Sequence, residues 1–385
     1  MTPEAALAEI WREAGLPLAV LGGITFHGND PVLPSSFAIG TAAAVSIGAQ
    51  ALAASLMLAR RGGPMPEVRV ALRDAAIEFR SERYLRVNGA MPPDLWDAIA
   101  GLYRTKDGWV RLHTNFPHHR DGVLRLLGCA YERAAVARAL AGWEAETFDR
   151  EATEAGLAVA WLRSFDAWDT SAEGVALTRQ PLVSLTRVGD APPMPLPSAL
   201  RPLSGLRVLD LTRVIAGPVA GRVLAAHGAD VLAISAPYLP QMAPLVIDTG
   251  RGKRSAFLDL REAEARETLR ELVRSADVFL QSYRPGALDD YGFSAEDVAR
   301  LRPGLVHETL SAYGFAGPWA GRRGFDSLVQ TASGFNHAEA EAAGEATPKP
   351  LPAQALDHAS GHLLAFGIIA ALLRRADEGG LFRVR

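Results

Sequence analysis

From residue 206 onward, short apolar runs alternate with amphipathic stretches. Residues 206–211, 231–234, 255–260, 276–280 and 305–310 read as strands, rich in Val, Leu and Ile and bounded by Gly, Asp or Pro. Between them, 218–226 reads as a helix with Pro218 in its first turn. Residues 262–275 read as a charged amphipathic helix with Leu269, Leu272 and Val273 on one face. Strands that alternate with helices predict an α/β domain with a parallel sheet and right-handed crossovers. The first half is less regular. Residues 68–72 and the stretch after the Asp107-Gly108 turn read as strands, and 74–82, 120–127, 134–140 and 147–154 as helices. Ala191-Pro192-Pro193-Met194-Pro195-Leu196-Pro197 continues neither a helix nor a central strand. This extended connector, 191–202, divides the chain into 1–190 and 203–385.

Two stretches are apolar almost throughout. Residues 37–59 carry no charge and end at Arg60-Arg61; they are long enough to span a bilayer. Ala, Gly and Ser dominate them and Gln50 sits in the middle, so they read as a buried helix and no membrane partner is expected. The second stretch, 363–373, follows Asp357-His358-Ala359-Ser360-Gly361 and also ends in an arginine pair, Arg374-Arg375. Ser36-Phe37-Ala38-Ile39-Gly40 precedes the first stretch in the same manner. The echo is either an internal repeat or a chance likeness of two Ala-rich helices. As a repeat, it would set Ser36 against Asp357.

Composition narrows the function classes. The 385 residues are 49% hydrophobic and 22% charged, enough for two or three cores. A net charge of −3 argues against a nucleic-acid partner. One cysteine, Cys129, excludes an internal disulfide and a cysteine-rich zinc site, and fits a reducing, cytoplasmic setting. No basic and apolar leader pattern opens the chain.

Asp357 is the foremost candidate for chemistry. A carboxylate at the start of a buried helix is poor in water, which suits a nucleophile; it also suits an ordinary N-cap, for which Asp is a preferred residue. Residues 211–218 leave a strand and open a helix, where free N–H groups favour anions and Gly217 permits close approach. Neither G-x-G-x-x-G nor a Walker A pattern is present, so nicotinamide and P-loop readings lack support. Arg251, Arg254, Arg284 and Arg323, with Tyr283, lie in loops after predicted strands and could neutralise a polyphosphate. Each taken singly is equally a solvated rim cation. His118-His119 reads as an extended loop without a third ligand, so no metal is expected.

Together these segments resemble the family III CoA-transferases, a superfamily that includes acyl-CoA racemases and carnitine-related CoA enzymes. The likeness covers 203–380. It rests on 206–218, 228–234, Lys253-Arg254-Ser255, Ala276-Asp277-Val278, Arg284-Pro285-Gly286, Gly324-Phe325-Asp326 and Asp357 with Gly361. Residues 36–190 resemble the family's C-terminal half, so the halves stand in permuted or partly duplicated order. The resemblance implies a Rossmann-like parallel sheet flanked by helices plus a smaller α+β domain, and an interlocked homodimer. It implies that Asp357 attacks an acyl-CoA thioester, with aspartyl anhydride and aspartyl-CoA intermediates, and that CoA moves to a free carboxylic acid. Coenzyme A is then a substrate, and no cofactor is held permanently. Arg213, Val214, Ala216, Leu258, Ser282, Tyr283, Arg284 and Arg323 fall on family CoA-contact positions. Backbone N–H groups near Asp357 and Gly361 are expected to stabilise oxyanions. Two departures stand out: Ser235-Ala236 follow the second strand, and Asp290 replaces a phosphate-binding arginine. A racemase or epimerase needs a histidine where Phe325 stands, and a non-catalytic CoA-binding protein is the other alternative.

Overall fold

The computed structural model describes residues 1–385. In chain order, β1 (Ile24–His27) and β2 (Val68–Ala71) form a parallel pair. Strands β3 (Gly101–Arg104), β4 (Trp109–Leu112) and β5 (Val159–Trp161) form an antiparallel sheet. The main sheet holds β6 (Leu185–Gly189), β7 (Arg207–Leu211), β8 (Asp230–Ser235), β9 (Arg254–Phe257), β10 (Val278–Gln281), β11 (Val306–Thr309) and β12 (Leu381–Val384). Their order is β6-β12-β11-β10-β7-β8-β9, and only the β12–β6 pairing is antiparallel. The chain proceeds from β7 outward to β9, then returns to β10 beside β7. This is the Rossmann-like arrangement expected, with a switch point that opens a crevice at the carboxyl ends of β7 and β10. The expected strand over 255–260 ends at Phe257, while β1, β3, β5 and β6 have no counterpart in the sequence reading.

Strands β10 and β11 are buried at every position, as parallel strands covered on both faces must be. Charges inside such a sheet need partners. Lys253 Nζ lies 2.7 Å from Asp210 Oδ2, both side chains being buried. Gly221 makes room for this pair, since a Cβ there would lie 2.2 Å from Asp210 Oδ2. Glu308 has no hydrogen-bond partner on either oxygen, and burial, then the Asp210 charge, raises its carboxyl well above the usual range. Burial there favours its uncharged form.

Two helices, Ile39–Arg60 and Ala355–Glu378, are long and apolar enough to cross a membrane. Both are instead embedded in one 51-residue core that runs from Leu7 to Val384, across the linker. Their entries are alike. Ala38 and Gln354, the residues before the helices, have φ/ψ of −76°/64° and −77°/63°. An aspartate from outside then accepts from the next backbone N–H groups: Asp30 from Gly40 and Thr41, Asp326 from Leu356 and Asp357. Each helix also joins two parallel strands, β1 to β2 and β11 to β12. The echo is therefore a structural repeat, but its register differs from the sequence alignment. Thr41, not Ser36, matches Asp357; Ser36 precedes its helix.

Buried arginines tie the halves together. Arg61 donates to the carbonyls of Pro197, Pro202 and Ser204 at 2.8–2.9 Å, which pins the linker. Arg222, on the helix Ala216–Ala226, lies 3.0 Å from Asp248 and pairs with Glu78 of the first half. Ser81 Oγ also donates to Asp248, at 2.8 Å. Removing one partner of a buried pair strands the other. Arg222→Ala is expected to lower unfolding stability by about 3–5 kcal/mol in urea titration.

Candidate functional site

The helix Ala355–Glu378 begins without a side-chain cap of its own. Asp326, the first residue of the helix Asp326–Ala332, supplies one. Its Oδ2 accepts from the N–H of Leu356 (2.8 Å) and of Asp357 (3.0 Å). Gln330 Nε2 donates to the other oxygen, and Gln330 Oε1 is itself fixed by Leu351 N at 2.9 Å and Asn336 Nδ2 at 3.2 Å. With capping done from outside, the Asp357 carboxyl makes no hydrogen bond to the protein. Burial, then the negative charges of Asp326 and Glu82, raise its pKa well above the usual range. Burial likewise lifts Asp326, to about 6, against the pull of its N–H donors. Asp357 is only half-buried as a residue because it faces two cavities.

The first cavity, about 690 Å³, occupies the crevice at the switch point. Seven of the eight expected CoA-contact residues line it: Arg213, Val214, Ala216, Ser282, Tyr283, Arg284 and Arg323. Leu258 does not; it packs beside the apolar cluster of Leu209 and Phe279. Arg284 and Arg323 have no ion-pair partner, and burial, then the charge of Arg284, lowers the Arg323 pKa. Arg213 donates to the Pro240 carbonyl and lies 5.4 Å over the Phe116 ring. Val214 adopts φ 74°, rare for a β-branched residue, and its side chain borders both cavities.

Arg251 and Arg254 are not part of this crevice. Arg251 pairs with Asp248, and Arg254 grips Asp230 on the outer side of the sheet, where β9 is an edge strand. Asp290 is exposed in a short 3₁₀ helix, Asp289–Tyr291. His118 and His119 belong to the first turn of a helix, Pro117–Leu127, rather than an extended loop, and both line the crevice. Burial, then His118 and Arg323, lowers His119 to about 3.

The second cavity, about 540 Å³, also has Asp357 on its wall and is lined by both halves. The loop from Met91 to Trp96 forms one side, and Glu82 and His113 border it. Glu82 accepts from His358 Nε2 at 3.1 Å. Burial pushes Glu82 upward, but the His358 hydrogen bond and charge more than offset this and hold it below its usual range. His113 stacks on Phe325 with ring centroids 3.7 Å apart, and burial lowers its pKa to about 3.

Two expected roles change. The Asp357 N–H is already bound to Asp326, so it is not a free oxyanion donor. Gly361 serves packing: a Cβ there would lie 2.5 Å from the Ala216 carbonyl oxygen. Asp326, Glu82 and His113 carry no local sequence signal for their parts, because each acts on residues far away in the chain. Phe325 and Asp326 were visible as a motif, without its structural meaning.

Residues 203–381 match the family model described as CoA-transferase family III. A probable fatty acyl-CoA transferase of Mycobacterium tuberculosis is 37% identical over 199 residues, covering 48% of this chain and 50% of that protein. A succinate–glutarate CoA-transferase of Agrobacterium fabrum is 34% identical, covering 48% and 50%. The chain thus spans about half the length of these relatives. An acyl-CoA transferase of Gibberella moniliformis aligns at 26% identity over 94% of this chain and 72% of its own. A crystal structure of the mycobacterial protein covers 48% of this chain and 54% of its own at 35% identity, with a TM-score of 0.44. Residues 203–381 are thus similar to CoA-transferase family III, over a little less than half of the chain.

Proposed function

We propose that this chain moves CoA from an acyl-CoA thioester to a free carboxylic acid, with Asp357 as the nucleophile. One observation carries the reading: an uncapped, desolvated carboxyl stands where a cation-bearing crevice meets a second, more apolar cavity. The phosphates of CoA would lie against Arg284 and Arg323. The thioester carbonyl would then reach Asp357, and the acyl body would enter the second cavity.

Ionised Asp357 attacks the thioester carbon; the C–S bond breaks and CoA leaves as thiolate. The thiolate attacks the aspartyl carbonyl of the anhydride, which gives aspartyl-CoA and releases the donor acid. The acceptor carboxylate attacks aspartyl-CoA, forms a new anhydride and frees the thiolate again. Attack of the thiolate on the new acyl carbon yields the product thioester and restores Asp357. Each step exchanges one acyl bond for another. Developing oxyanions are assigned to the backbone N–H groups of Ala216 and Gly217, which open a helix and line the crevice.

Neutral Asp357 is a poor nucleophile, so its raised pKa shapes the rate. We expect kcat/KM to rise with pH along a limb displaced above the ordinary carboxylate value of about 3.9. The folded state retains this proton where the unfolded chain has lost it, so stability falls as pH rises through that window. Asp357→Asn removes the effect. In denaturant titrations the variant should gain stability over the parent at pH 7 and none at pH 3.

Asp357→Ala should reduce transfer by roughly 10³-fold or more while near-ultraviolet circular dichroism stays unchanged, as expected from loss of a nucleophile. Hydroxylamine added to the parent protein with an acyl-CoA should convert Asp357 to a hydroxamate, read by peptide mass spectrometry. Absence of that label alongside measurable CoA binding would favour a binding protein. Arg323→Ala should raise KM for the thioester roughly tenfold with a smaller change in kcat, because it meets the phosphates in ground and transition states alike. A racemase is disfavoured by Phe325 and by the neutral His113 stacked on it. Solvent deuterium at the substrate α-carbon would reverse that judgement.

A further inference from the structure

The second cavity carries information about which acids fit. Its apolar lining includes Met91, Pro92, Leu95, Trp96, Met242 and Leu245. The loop is held firmly at its base. Asn115 Nδ2 donates to the Leu95 carbonyl at 2.9 Å, and Asn115 Oδ1 accepts from Asp97 N at 3.1 Å. Asp97 in turn accepts from Thr114 Oγ1 at 2.8 Å and from the Tyr131 hydroxyl at 2.7 Å. The apolar wall is preorganised rather than formed by the ligand.

The charged groups on this cavity are unbalanced. Glu82, Asp94, Asp326 and Asp357 are four carboxyl groups on its lining. Arg83 is the one arginine on the wall; it lies 3.4 Å from Glu82 and is 39% exposed. His113 contributes no positive charge at neutral pH. Arg111 is buried without an ion-pair partner, 5.1 Å from the Trp96 ring; it is not on the wall, although its charge is felt by Asp326.

We propose that this cavity selects acyl groups with an apolar or aromatic body and a single carboxyl function, and rejects dicarboxylates. The inference rests on the transferase reading for its place in the reaction. The reacting carboxyl meets Asp357, the body of the acid lies on Trp96 and Leu95, and a second carboxylate would face Glu82 and Asp94, where the one arginine, Arg83, is already beside Glu82. Like charges brought together in a partly desolvated site are strongly disfavoured. The apolar wall offers an aromatic body stacking and burial.

The full chain is assayed for transfer from acetyl-CoA to hexanoate, 3-phenylpropanoate, succinate and glutarate. The two monocarboxylates should exceed both dicarboxylates by about 100-fold in kcat/KM. Trp96→Ala should raise KM for 3-phenylpropanoate about tenfold. Met91→Arg, at an exposed position on the rim, should raise glutarate use about tenfold by supplying the missing cation. Calorimetric binding of 3-phenylpropanoyl-CoA and glutaryl-CoA separates this inference from the transferase reading. Tighter binding of the phenylpropanoyl thioester without any turnover supports the cavity's selectivity and defeats the transferase. Transfer with glutarate equal to or above the monocarboxylates, or equal binding of the two thioesters, overturns the selectivity and leaves the transferase standing.

Discussion

The contact between Asp326 Oδ2 and the N–H groups of Leu356 and Asp357 governs the site. A helix start leaves backbone donors unmet, and an aspartate within its first turn would ordinarily bend back to satisfy them. Here the donors are taken by a carboxylate from another helix, itself fixed through Gln330 and Asn336. Asp357 is left with neither a capping duty nor a hydrogen bond, and with two further carboxylates nearby. The result is an acid that ionises reluctantly and whose conjugate base is poorly solvated. The same device at the repeat copy, Asp30 over Gly40 and Thr41, ends at a threonine and has no such consequence.

The two halves contribute different physics to this one position. The main sheet supplies the switch-point crevice, the start of the helix Ala216–Ala226 and the unpaired Arg284 and Arg323. The first half supplies Glu82, His113 and the loop that carries Trp96. Neither cavity is complete without Asp357, and their relative placement depends on buried contacts such as Arg222 with Glu78 and Asp248. The two halves share one continuous core through the helices Ile39–Arg60 and Ala355–Glu378.

Much of the second half was legible. Its strands are nearly continuous apolar runs, its helices have clear faces, and seven of eight proposed CoA-contact residues gather in the crevice. Leu258, just past the end of β9 at Phe257, packs against the apolar cluster of Leu209 and Phe279 and does not line the crevice. Arg251 and Arg254 were indistinguishable by sequence from Arg284 and Arg323; their carboxylate partners, Asp248 and Asp230, decide the matter. His118-His119 was read as extended, yet Pro117 at the first helical position begins a helix there. The strands of the first half are three to five residues long, too short for a period to show. Asp326 is 31 residues from the N–H it caps, a relation that no local pattern contains.

The most direct test follows the oxygen atoms. With an acceptor acid labelled by ¹⁸O in its carboxyl group and many turnovers, an anhydride route leaves one acceptor oxygen on the aspartate in each cycle. The peptide that contains Asp357 should gain mass from ¹⁸O, localised to that side chain. Extensive transfer with the Asp357 carboxyl still unlabelled would contradict a covalent role for it.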